Sequence, residues 1–117
     1  MWIRRLVFGF ATMIFFVTEM GPAIAVDQSV YLSLRNRIGL LRYCHDKGLL
    51  QEDAVEDAER RLTEVINGLP AADDVSQGDA SEQAGIAGKW GQTGVAAEQR
   101  ASMFGLTLKD QCAEWSK

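Results

Sequence analysis

The sequence predicts an all-α fold: a small four- or five-helix bundle held by one disulfide and preceded by a signal peptide. Three observations predict it. Beyond residue 26 the apolar residues recur every three or four positions, with no sustained strand-like alternation. The chain's two cysteines, Cys44 and Cys112, both lie in that part. The first twenty-five residues have the grammar of an export signal.

Arg4 and Arg5 give a positive start, Leu6 to Val17 is an apolar run, and Ala23-Ile24-Ala25 is a small-x-small cleavage site with Pro22 just before it. The run is shorter than the roughly 20 residues a membrane span needs. Cleavage after Ala25 is expected, which makes the protein periplasmic or secreted; the alternative is an uncleaved N-terminal anchor. Residues 26–117 then form one small domain of 92 residues. Losing Arg4, Arg5 and Glu19 turns 12 basic and 16 acidic residues into 10 and 15, a net charge of −5. An acidic domain repels phosphate backbones, so nucleic acid is excluded as a partner.

A domain this small buries a modest core and gains from a covalent staple. Two cysteines in an exported chain read as a disulfide, Cys44 with Cys112. Closing a loop of about 70 residues contributes roughly 4 kcal/mol in the chain-entropy model.

The first helix is expected at about 28–47, from the stripe Val30, Leu34, Ile38, Leu41 and Cys44, with Asp27 or Ser29 as its cap and Gly48 as its stop. The second, about 51–67, carries Val55, Ala58, Leu62, Val65 and Ile66. Its first turn is acidic and its arginines come later, which suits the helix dipole. Asn67-Gly68-Leu69-Pro70 ends it, and the two helices form an antiparallel hairpin. Residues 71–94 are rich in glycine and small polar residues. They read as a low-order segment, either a loose helix with a small-residue face at about 74–87 or irregular chain, with Gly88 to Gly94 the least ordered. Val95 to Met103 form a further helix ended by Gly105. Thr107 to Asp110 is a capping box that opens a last helix at about 107–116 bearing Cys112 and Trp115.

Four constellations bear on chemistry. Ala101-x-x-x-Gly105-x-Thr107 has the outline of a helix-turn-helix, but in an acidic exported domain it reads as a tight corner between helices. Cys44 and His45 could form an activated nucleophile, except that neighbours on a helix point about 100° apart and the cysteine is expected in a disulfide. Glu52, Asp53, Glu56, Asp57 and Glu59 lack the spacing of a calcium loop and read as a solvated helix face. Of the aromatic residues Trp90, Phe104 and Trp115, Phe104 is expected in the core, and Trp90 is the one expected to contact a partner. Phosphate-loop, nucleophile-elbow, HExxH and dinucleotide motifs are all missing from the sequence, so no enzyme, cofactor or metal is expected.

The single disulfide joining separated helices in a small exported chain resembles the architecture of the HdeA acid-stress chaperones. That resemblance implies an acid-activated holdase. Near pH 2 the carboxylates neutralise while ten Lys+Arg and His45 stay charged, which loosens the fold within the limit set by the disulfide. The run Y-L-x-L-R-N-x-x-G-x-L-x-Y-C from Tyr31 to Cys44, with the helix that follows to Leu69, is similar to small exported proteins catalogued as pore-forming relatives of the WXG-type secreted helical hairpins. The expectation is a non-catalytic envelope protein, chaperone-like and stress-related, that binds a protein partner or client. The alternatives are a membrane-active or pore-forming protein and an accessory subunit or inhibitor. Membrane contact and oligomeric state are left open by the sequence.

Overall fold

A computed structural model describes residues 28–69 and 75–117. Residues 1–25, where the sequence predicts a signal, and Asp27, one of the two expected caps of the first helix, lie outside the described residues. Within them the chain is mostly helical, as expected: α1 (residues 28–46), α2 (Glu52–Asn67), α3 (Val75–Ile86), α4 (Ala97–Met103) and α5 (Leu108–Trp115). A two-stranded antiparallel hairpin, β1 (Lys89–Trp90) with β2 (Val95–Ala96), stands between α3 and α4.

The helix α1 is the axis of the molecule. It ends where Gly48 takes φ +74°. Gly48 N donates to the His45 carbonyl and Leu49 N to the Cys44 carbonyl, both at 2.9 Å. This paired closure needs a left-handed residue that glycine supplies without strain. The turn sends α2 back antiparallel. Arg42 ties the two helices together: Nε and Nη2 donate to the two Glu59 carboxylate oxygens at 2.7 and 2.9 Å, and Nη1 donates to Glu52 at 2.9 Å. These bonds, led by that to Glu59, raise the Arg42 pKa.

The other side of α1 carries α3, which runs parallel to it. Residues 75–86 thus take the helical alternative of the two read from sequence. Glycines set the spacing of this seam. A Cβ on Gly39 would collide with the Glu82 carbonyl oxygen and stand 2.8 Å from Ile86 N. A Cβ on Gly85 would collide with the Asn36 carbonyl oxygen and stand 2.8 Å from Leu40 N. The two backbones therefore touch, as small-residue faces allow. Ser81 Oγ donates to the Leu32 carbonyl at 2.8 Å. Arg35 closes the edge of the seam with bonds to Asp79 (2.5 Å), Tyr31 (2.8 Å) and Glu82 (3.2 Å). Burial alone would lower the Arg35 pKa, but these bonds outweigh it and raise the net value.

The core lies where α1, α2, α4 and α5 converge: Leu40, Leu41, Cys44, Val55, Ala58, Ala97, Cys112 and Trp115. The Cys44–Cys112 disulfide is at its centre, with Cα atoms 5.9 Å apart. The expected stripe on α1 is corrected at its start. Val30 is exposed, and Leu34 and Ile38 are half-buried, while Tyr31, Leu32, Asn36 and Leu40 are buried. With α2 on one flank and α3 on the other, α1 buries a broader arc than a single stripe covers. On α2, Val55 and Ala58 are buried, whereas Val65, beyond the reach of the core, is 52% exposed.

The hairpin is the element absent from the sequence reading. Val95 and Ala96 pair with Trp90 and Lys89 instead of opening a helix, which starts at Ala97. The loop between the strands begins and ends with glycines of positive φ, Gly91 and Gly94, both +72°. Ala97 N extends the pairing by donating to the Gly88 carbonyl at 2.9 Å. The corner between α4 and α5 is as expected. Gly105 has φ +70°, Leu106 N donates to the Ala101 carbonyl, and Thr107 and Asp110 form the reciprocal capping box.

Candidate functional site

One cleft gathers polar and aromatic side chains from four elements. It has a volume of about 440 Å³ and lies between the middle of α1 and the hairpin. From α1 come Asn36, Arg37 and Leu40, from the hairpin Trp90 and Thr93, from α4 Arg100, and from α5 Trp115.

Asn36 positions the wall. It is only 3% exposed and sits on an otherwise apolar face. Its Nδ2 donates to the Ser81 carbonyl at 3.1 Å and to the Lys89 carbonyl at 3.0 Å, while its Oδ1 accepts from Gly91 N at 2.9 Å. One buried amide thus joins α1, α3 and the hairpin. A buried side-chain amide with its hydrogen-bonding capacity largely used is held rigidly.

Trp90, the expected partner contact, is half-buried and packs against the core from the hairpin side. Its ring is covered by Arg100, whose guanidinium carbon lies 3.8 Å from the ring centroid. The same guanidinium lies 4.6 Å from the centroid of Phe104. Arg100 is therefore held between two rings, a stacking that suits its flat, delocalised cation. Its Nε is buried without a hydrogen-bond partner. Phe104 is corrected from its expected place in the core. It is 61% exposed beside Met103 at 69%, and of Trp90, Phe104 and Trp115 the buried one is Trp115, at 4%. The reason is geometric: α4 is seven residues long, and its closing turn at Gly105 leaves Phe104 on the rim.

Charge is distributed unevenly over the arginines. Among the described residues Arg35, Arg42, Arg60 and Arg61 each pair with a carboxylate. Arg37 and Arg100 have none, and both face the cleft. The sequence reading missed both, along with Asn36. A signal for the stack exists in the i, i+4 spacing of Arg100 and Phe104 on one helix, which puts the two on one face.

The other sequence candidates are dispersed. Cys44 is buried in the disulfide. His45, on the outer side of the same turn, has Nε2 3.0 Å from Glu52. The acidic residues of α2 are not all a solvated face, because Glu52 and Glu59 hold Arg42. Among the described residues no group of three or more His, Cys, Asp or Glu side chains is placed to hold a metal ion. Away from the cleft, the Tyr43 hydroxyl donates to Glu98 and so links α1 to α4. That bond, with some burial, pushes the Tyr43 phenol up to about 12 and lowers the Glu98 carboxyl.

Comparison with protein-family models, with curated proteins and with solved structures finds no match for this chain.

Proposed function

We propose that this chain is an exported, non-catalytic envelope protein that binds other polypeptides, chaperone-like, through the surface around Trp90. The observation that carries the reading is the exposed row of Met103 and Phe104, continuous through Arg100 with Trp90 and the cleft. Rigid aromatic side chains and an arginine, set beside a flexible methionine, are the residue types that dominate polypeptide recognition. The disulfide supports export, since such bonds persist in oxidising compartments, and the N-terminal signal grammar supports it independently. The membrane-active alternative has no comparable observation in its favour. Among the described residues no helix is long and apolar enough to cross a membrane.

The test follows aggregation of an unrelated client by light scattering from pH 7 to pH 2, with the exported, oxidised protein added. The expected result is protection that strengthens in acid. It should fall at least threefold in a Met103→Ser, Phe104→Ser variant, and weaken in a Cys44→Ser, Cys112→Ser variant. Absence of protection at every pH sinks the reading.

A further inference from the structure

We infer that the cleft between α1 and the hairpin is a carboxylate-binding pocket, and that its occupant is a polypeptide presenting a carboxylate next to an apolar side chain. The inference rests on the polypeptide-binding reading and names the chemistry recognised there. Three observations carry it. First, of the six arginines among the described residues only Arg37 and Arg100 lack a carboxylate partner, and both line this one cleft of a domain with net charge −5. Such a domain has carboxylates to spare for pairing, so two unpaired guanidiniums lining one cleft leave a local positive field there. Second, Arg100 is fixed in place by Trp90 and Phe104 at 3.8 and 4.6 Å, with its Nε buried and without a partner. The flat fork of a guanidinium matches the two oxygens of a carboxylate, and a fork already immobilised loses little entropy on engaging one. Third, the lining combines buried apolar residues, Leu40 and Trp115, with polar ones that include Ser33, Gln92 and Thr93. A pocket of about 440 Å³ so lined exceeds what a bare anion fills and suits one or two amino-acid residues.

Two sources offer this chemistry on a polypeptide: a chain terminus, or an Asp or Glu side chain beside an apolar residue. The experiment separates them. Trp90 and Trp115 line the cleft, so tryptophan fluorescence reports its occupancy. Three short peptides ending in Leu-Phe are titrated into the exported, oxidised full-length protein. One has a free C-terminal carboxylate, one a C-terminal amide, and one the amide with an internal Glu before Leu-Phe. Inorganic phosphate is titrated alongside.

The expected result is binding of a carboxylate-bearing peptide at least tenfold tighter than the plain amide. If the free terminus wins, the pocket reads chain ends; if the Glu peptide wins, it reads acidic side chains. Arg37→Gln, a change at an exposed position, weakens that peptide severalfold and leaves the amide unchanged. Arg100→Gln weakens it further, and Arg100→Lys restores only part, because lysine keeps the charge without the fork. Equal binding of all three peptides overturns the inference, as does phosphate binding without peptide binding, or indifference to Arg37→Gln. The client-aggregation assay runs on the same variants. Client protection without carboxylate preference leaves the polypeptide reading standing and removes the pocket. Absence of both removes the polypeptide reading itself.

Discussion

Asn36 shows how much one side chain can hold. Its amide satisfies the Ser81 and Lys89 carbonyls and Gly91 N from a nearly fully buried position. Asn36→Ala would leave those three backbone groups without that partner, and a buried group left unpaired costs about 1–3 kcal/mol. The expected loss is about 2–3 kcal/mol in urea unfolding, accompanied by a red shift of Trp90 emission as the hairpin loosens. An unchanged midpoint would contradict the role assigned here. In the sequence this residue is one polar position in a helix, and nothing there says which groups it joins. Phe104 shows the converse. By composition it belongs inside, yet whether an aromatic faces core or solvent depends on where the preceding helix stops, a tertiary matter that residue type does not carry.

At the scale of elements, α3 was the hardest to read and rests on the closest contact. Its glycines argue against a helix by propensity, since each costs about 1 kcal/mol relative to alanine. What offsets that cost is the approach of α3 to α1 at Gly39 and Gly85. The sign of a substitution decides between the two effects. If the seam were loose, Gly85→Ala would stabilise the protein by about 1 kcal/mol through propensity. Because the neighbours are backbone atoms of Asn36 and Leu40, which cannot swing aside, the expected outcome is a destabilisation of about 2–3 kcal/mol. A rise in thermal midpoint would show the contact to be looser than described. The helices α1 and α2 were legible from their apolar spacing and their stops at Gly48 and Gly68, and α5 from its capping box. The hairpin was not. Its strands are two residues each, too short to show alternation, and its turn glycines look like any flexible run until their positive φ values are known. The cleft was equally hidden, since it is built from residues of four elements separated by up to 82 positions, Ser33 to Trp115.

For the whole molecule, stability depends on pH through pairs that cross between elements. Glu98 has its carboxyl lowered by the bond from Tyr43. Its contribution is present above the ordinary value of about 4.3 and is lost as pH falls through the lowered one. Tyr43 is raised to about 12 by the same bond, so its contribution is present below the ordinary value of about 10 and is lost as pH rises through 12. Tyr43→Phe removes both. The wild type should therefore exceed the variant in urea midpoint between pH 5 and pH 10, and the gap should narrow as pH falls below the ordinary carboxylate value and as it rises from 10 towards about 12. A gap independent of pH would mean that the hydroxyl does not act through Glu98.

The disulfide also defines how the molecule answers to force. It joins the last turn of α1 to the middle of α5, a separation of 68 residues. A pull applied to the two ends of the chain runs along α1, across the sulfur–sulfur bond and out through the final turn. The helices α2, α3 and α4 and the hairpin lie outside that covalent path. While the bond is intact roughly 230 Å of contour stays out of reach, at about 3.4 Å per residue. To a translocating motor that grips one end, the oxidised protein is a short tether with a closed loop hanging from it. The reduced protein is a strand that can be drawn out to its full length.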